Sequence, residues 1–241
     1  MADTYTVIVT DANNCQVTAT QSVLDNPAPT VSIISTTNVS CFGGSNGSAD
    51  ASVVGGSAPF SYSWLPNGGN NQTASALTAG TYTVIVTAAN GCTVVANSPA
   101  ITEPSDIFTT ITTTNVNCFG GNDGTAQATV FGGTPGYTYN WISTGATTSS
   151  VNNLIAGSYT LQIKVAKNCL ATSTVSITQP LAPLTLTATS SPVLCFNGTT
   201  GSSTITALGG TPNYNYIWLP YGGNTTSASN LATGIYTINV S

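Results

Sequence analysis

A chain of 241 residues can hold one large domain or two to three of ordinary size, and only 4% of these residues are charged, so neutral hydroxyls and amides must supply the solubility that Lys and Glu usually give. The formal charge of −5, with two lysines (Lys164 and Lys167), no arginine and no histidine, excludes nucleic acid and other polyanions as partners. Without His or Arg the seven scattered carboxylates assemble no acid/base pair or triad, so no enzyme activity and no cofactor are expected, and no run of about 18 apolar residues is present to insert into a membrane.

In chain order, Tyr5, Val7 and Val9 alternate with polar neighbours, the period of a half-buried strand. Asp11 to Asn14 make a turn, and Cys15 opens a second strand running to about Leu24. Met1 leads into a strand instead of a charged n-region, so any signal peptide or anchor is expected outside this segment. Residues 1–26 read as the last two strands of a repeat, closed by Pro27 and Pro29, which resist continuation as a central strand.

Residues 27–103 read as a first whole unit. A strand over Thr30 to Val39 reaches Cys41, and Phe42-Gly43-Gly44 begins a turn able to take positive φ. Ala49, Ala51 and Val53 then share one strand face, small enough to leave room for Phe60, Tyr62 and Trp64 on the next strand. Pro66 to Asn71 is a loop and Thr73 to Leu77 a short strand. Tyr82, Val84 and Val86 face inward, and Cys92 precedes a last strand ending at Ile101.

Residues 104–179 repeat this pattern, and residues 180–241 repeat it again without a last strand. The period is 77 residues: it separates Trp64, Trp141 and Trp218, Cys41, Cys118 and Cys195, and Cys15, Cys92 and Cys169. It also separates Tyr5, Tyr82, Tyr159 and Tyr236. The expected fold class is all-β, a tandem array of immunoglobulin-like antiparallel sandwiches with seven short strands per unit, Trp64, Trp141 and Trp218 in the cores. The Leu-x-x-Gly-x-Tyr step at Tyr82, Tyr159 and Tyr236 reads as a tyrosine corner.

Cys-Phe-Gly-Gly-x-x-Gly, Gly-Gly-Thr-Pro-x-Tyr-x-Tyr-x-Trp, Leu-x-x-Gly-x-Tyr-Thr and Asn-Gly-Cys together resemble the SprB-type repeat of Bacteroidetes cell-surface adhesins, over nearly the whole chain. The resemblance implies large secreted proteins, exported by the type IX system, some of which move along the cell surface to drive gliding motility. It implies an extracellular structural or adhesive shaft or filament.

Regular cysteine pairs with no CxxC and no histidine favour disulfides in an oxidising compartment over zinc or redox chemistry. In an immunoglobulin-like sandwich the turn after the first strand and the turn before the last lie at opposite ends, roughly 25–30 Å apart at about 3.3 Å per residue. A disulfide needs Cα atoms within about 7 Å. The exit end of one repeat abuts the entry end of the next, so Cys41 is expected to pair with Cys169 across repeats. A rearranged first strand would instead pair Cys41 with Cys92 and Cys118 with Cys169.

The ragged ends allow a further expectation, head-to-tail self-association by strand complementation, in which Cys118 meets Cys15 of a neighbour and Cys195 meets Cys92 of one. No metal is expected, because the junctions offer only Asp25, then Glu103 with Asp106. The alternative function is a glycan-binding surface module acting through exposed Thr, Asn and Tyr loops, Tyr221 and the Gly222-Gly223 loop above all; Tyr221 and Phe131, which lack equivalents in the other repeats, are candidates for surface contacts.

Overall fold

The structure, a computed structural model, describes residues 3–241; Met1 and Ala2, at the start of the expected 1–26 segment, lie outside the described residues. The chain divides into two compact units, one running to Asp106 and including Gly132–Thr134, the other made of Ile107–Phe131 and Pro135–Ser241. Every element among the described residues is a strand or a turn.

The first unit begins with a hairpin of β1 (Asp3–Thr10) and β2 (Gln16–Val23), paired antiparallel with Val7 opposite Ala19 and Val9 opposite Val17. Its turn is built by Asp11, whose Oδ1 accepts the backbone N–H of Asn13 (2.9 Å) and Cys15 (2.8 Å). Every residue of both strands is exposed.

Six strands follow: β3 (Thr30–Thr37), β4 (Gly47–Val54), β5 (Ser61–Leu65), β6 (Thr73–Leu77), β7 (Thr83–Thr87) and β8 (Thr93–Asn97). They form two antiparallel sheets, β3-β4-β6 and β5-β7-β8. Period-two patterning decides their faces: Gly47, Ala49 and Ala51 of β4 are buried, as are Val84 and Val86 of β7. Trp64 fills the space that the alanines leave, at 3% exposure, in a core with Val39, Leu77, Tyr82 and Ile101.

The expected seventh strand does not form. The chain passes from β5 in one sheet to β6 in the other through a loop that Trp64 itself organises, its backbone N–H donating to Gly69 O (3.1 Å) and its indole Nε1 to Asn71 O (2.9 Å). Beyond β8 a single bridge joins Gly80 to Ile101.

In the second unit the same order recurs in β9 (Phe108–Thr114), β10 (Gly124–Phe131), β11 (Thr138–Trp141), β12 (Ser150–Leu154), β13 (Gly157–Lys164) and β14 (Leu170–Ile177), as sheets β12-β10-β9 and β11-β13-β14. Trp141 is fully enclosed among Val116, Leu154, Tyr159, Leu161 and Ile177. The chain continues into β15 (Thr185–Ser191), β16 (Gly201–Leu208), β17 (Tyr216–Leu219), β18 (Ser227–Leu231) and β19 (Thr237–Val240). These form the sheets β15-β16-β18 and β17-β19, the second with two strands where its counterparts have three.

Two local devices recur in all three repeats. Each corner tyrosine donates its hydroxyl to a carbonyl four residues back: Tyr82 to Thr78 (3.1 Å), Tyr159 to Ile155 (2.9 Å) and Tyr236 to Ala232 (3.3 Å). Each sheet also shifts register beside one left-handed residue, Ala76 (φ 57), Asn153 (φ 58) or Asn230 (φ 58), which makes a bulge in β6, β12 or β18.

Candidate interaction site: the cysteine turns and the open third repeat

Cys41, Cys118 and Cys195 occupy the same tight turn after β3, β9 and β15. In each, the cysteine carbonyl accepts an N–H three residues on, from Gly44 (3.0 Å), Gly121 (2.9 Å) and Gly198 (2.9 Å). A side chain then ties the turn to the segment leading into it from the strand, by three different chemistries. Asn46 Oδ1 accepts from the Ser40 N–H (2.9 Å), Asp123 Oδ1 from the Asn117 N–H (3.1 Å) and Thr200 Oγ1 from the Leu194 N–H (2.9 Å). Asn117 also donates its side-chain amide to Asp123 Oδ2. The Asn117 backbone N–H holds the Asp123 carboxyl below the usual carboxylate range, desolvation opposing it and the amide adding to it.

In the first two repeats the segment after the last strand completes the turn from the other side. Val39 donates its N–H to Thr102 O (2.9 Å) and Gly43 donates to Glu103 Oε2 (2.6 Å). The equivalents are Val116 to Thr178 O (2.9 Å) and Gly120 to Gln179 Oε1 (2.9 Å).

Cys41 and Cys169 are disulfide-bonded. Cys15, Cys92, Cys118 and Cys195 are exposed thiols.

The third repeat has a different interior. A cavity of about 530 Å³ opens beside its core, lined by Val193, Gly201, Ile205, Trp218, Leu231 and Tyr236 among others. In the first two repeats an isoleucine occupies the corresponding place, over a glycine at the start of the second strand. A Cβ on Gly47 would lie 3.0 Å from Ile101 Cγ2, and one on Gly124 would lie 2.8 Å from Ile177 Cγ2. Above Gly201 the neighbours are Leu231 O and Val193 Cγ2, with no isoleucine. A second cavity, of about 420 Å³, is lined by Cys118 and Phe119 together with Tyr214, Val240 and Ser241.

The isoleucine-over-glycine contact was not among the candidates drawn from the sequence. Its signals were a glycine heading the second strand of each repeat and an aliphatic residue three before each boundary proline, Leu24, Ile101 and Ile177. Of the aromatic candidates, Phe131 stacks on Phe108 with centroids 6.5 Å apart. Tyr221 meets Tyr236 edge-on at 5.3 Å and accepts its hydroxyl at 2.6 Å, the contact that raises the Tyr236 pKa above the ordinary phenol value. Among the described residues no group of three or more His, Cys, Asp or Glu side chains is placed to hold a metal ion, and no helix is long and apolar enough to cross a membrane.

The fold and its recurrences define a tandem all-β repeat protein. The SprB repeat model matches the chain at residues 33–69, 110–147 and 187–223, so the chain carries the SprB repeat three times, a module of cell-surface proteins. Each match spans the first three strands of its repeat with the cysteine turn between the first two. No curated protein matches the chain.

Proposed function

We propose that the chain is a load-bearing segment of an extracellular shaft or filament in a secreted adhesin that contributes to cell-surface attachment and gliding, with its repeats stapled to one another and with neither catalysis nor a cofactor. The observation that carries this reading is the oxidation pattern of the cysteines. By cysteine count alone each of the first two repeats could have closed a bond of its own, yet Cys92 and Cys118 are thiols while Cys41 and Cys169 are oxidised. A Cys41–Cys169 bond links neighbouring repeats and closes a loop of more than a hundred residues. In the chain-entropy model such a bond stabilises by about 4–5 kcal/mol. It also stiffens the joint, which suits a part that transmits force. The low charge and Thr-rich strands support a passive, soluble, non-catalytic surface.

Head-to-tail self-association by strand complementation belongs to the same reading, as a heterologous contact between repeats of one kind. The test of the staple is non-reducing digestion with mass spectrometry of protein made in an oxidising compartment. A Cys41–Cys169 peptide is expected; a Cys41–Cys92 peptide would overturn the stapled shaft and leave independent beads.

The glycan-binding reading rests on Tyr221, half exposed in a loop of the third repeat. Its hydroxyl already accepts a bond from Tyr236, which reduces what it can offer a sugar. A glycan-array signal that disappears with Tyr221→Ala would favour this second reading.

A further inference from the structure

The second repeat is whole and has a repeat on either side of it in the chain, and the outer face of its β12-β10-β9 sheet differs from its counterparts at one rung. There Phe108, which opens β9, stands opposite Phe131, which closes β10. The same rung holds Thr30 opposite Val54 in the first repeat and Thr185 opposite Leu208 in the third. In both of those the threonine hydroxyl donates to the facing carbonyl, at 3.3 Å. A threonine and an aliphatic residue thus satisfy the fold at this rung. The second repeat gives up that bond for two aromatic rings.

The rings stay largely in solvent, Phe108 at 63% and Phe131 at 53% exposure. Their planes are 30° apart and their centroids 6.5 Å apart, toward the far end of the about 4.5–7 Å that ring pairs adopt. Strand alternation sets polar side chains beside them on the same face: Thr110 opposite Thr129, then Thr112 opposite Gln127, all four exposed. Successive rungs on one face lie about 7 Å apart, and facing side chains about 5 Å apart. No charged residue occurs in β9, β10 or β12.

These features restrict the occupant. The exposed parts of the two rings offer on the order of 200–300 Å² of apolar surface. A stable protein interface takes about 800 Å² from each partner, so the patch is too small for one. Without charge the face has no means of attracting a polyanion or a polycation. It suits a neutral ligand with an apolar face and a rim of hydroxyls. A pyranose whose ring hydroxyls are all equatorial has that build, with axial C–H bonds on both faces and hydroxyls around its edge.

We propose that this face binds an uncharged β-linked polysaccharide, one sugar packing its C–H face on Phe108 and Phe131 while its neighbour exchanges hydrogen bonds with Thr110, Thr129, Thr112 and Gln127. This rests on the glycan-binding reading above and gives it a different site and a ligand class. Hydroxyls and a side-chain amide both donate and accept, so they match sugar hydroxyls of either sense. Thr112 already donates to the Gln127 carbonyl at 3.4 Å and keeps its lone pairs as acceptors. Each new hydrogen bond replaces one to water and adds little net free energy. The rings therefore carry the affinity, and the polar row fixes the direction of the chain.

The experiment titrates the whole chain, disulfide intact, with cellohexaose and follows backbone amide and phenylalanine ring shifts by NMR. Shifts confined to residues 108–112 and 127–131 are expected. Phe108→Thr with Phe131→Leu installs the rung that the third repeat uses, which the fold accepts, and is expected to weaken binding about tenfold. Thr110→Val with Thr129→Val is expected to weaken it about threefold. A uronate oligosaccharide of the same length is expected to leave these signals unmoved; equal binding of it would overturn the proposed ligand class. Binding that survives the Phe108→Thr, Phe131→Leu exchange and is lost with Tyr221→Ala would overturn this site and leave the glycan-binding reading standing. An exchange that lowers thermal stability and leaves binding untouched would make the rings a cross-strand staple and overturn the site as well. A concentration-dependent mass in light scattering, abolished by the exchange, would assign the face to a second copy and overturn the proposal. No shift with cellohexaose together with no signal on a glycan array would overturn both site and reading.

Discussion

The second and third repeats share a unit and a plan, and they differ at one edge. In the second, β13 is flanked on both sides, Ile177 covers Gly124 and Val116 is 3% exposed. In the third, β19 has one neighbour, and Val193 and Tyr236, the counterparts of Val116 and Tyr159, are only half-buried. The last strand of the second repeat, β14, is therefore part of its core. It delivers the isoleucine that closes the space beside the tryptophan, and its continuation supplies the carbonyl and side chain that hold the cysteine turn. Residues 180–241, which stop before the position of that strand, still hold the two-sheet plan.

The comparison is broken most severely at the tryptophans. Trp141→Ala is expected to cost the second repeat about 3–5 kcal/mol, as for a large side chain removed from a close-packed core. Trp218→Ala is expected to cost the third repeat visibly less, since one wall beside Trp218 is already open; denaturant unfolding of the two variants, followed by hydrogen exchange in each repeat, separates them. Ile177→Ala is expected to cost about 2–4 kcal/mol and to give the second repeat the cavity of the third. Faster exchange at Val116 and Tyr159, at unchanged exchange in the first repeat, is the measurement that checks it.

Smaller effects sharpen the comparison. Tyr159→Phe removes the hydroxyl bond to Ile155 O and is expected to cost about 1 kcal/mol in equilibrium unfolding. At the bulge the first repeat uses Ala76 at φ 57 where the others use Asn153 and Asn230. Ala76→Asn is therefore expected to stabilise the first repeat by about 0.5–1 kcal/mol in thermal unfolding, because alanine resists the left-handed region that asparagine tolerates.

The smallest effect is electrostatic. The folded pKa of Asp123 lies below its unfolded value, near 3.9 for an aspartate. Its contribution is thus fully present above that value and is lost as pH falls through the lower folded pKa. Acid titration below about pH 4 is expected to loosen the Asp123–Asn117 tie of the Cys118 turn, while the equivalent Asn46–Ser40 tie, made by a neutral amide, stays unchanged. Asp123→Asn is expected to remove the difference, with amide shifts of Asn117 and Ser40 as the readout.

Much of this was legible in the chain. The 77-residue recurrence and the alternation of Ala49 and Ala51 against Trp64 identified the repeats and their inner faces, because strand period and side-chain volume are local properties. The tyrosine corner was legible for the same reason: donor and acceptor lie four residues apart. The strand count was not. The stretch Pro66 to Asn71 was legible as a loop, but the Trp64 indole and backbone bonds to Asn71 and Gly69 that hold it exist only once the ring is buried, and nothing local shows that no further strand pairs with either sheet. The isoleucine-over-glycine contact was illegible for a related reason: Gly47 and Gly124 acquire meaning only when Ile101 and Ile177 are seen above them.

The sequence by itself determined the number of repeats, their all-β class, their apolar faces and the family they resemble, since each follows from spacing along the chain. Only the tertiary structure decided that the first two sandwiches have six strands each and which two of six equivalent-looking cysteines are oxidised. Those outcomes depend on segments distant in sequence meeting in space, and an isoleucine more than fifty residues from its glycine carries no local sign that the two will touch.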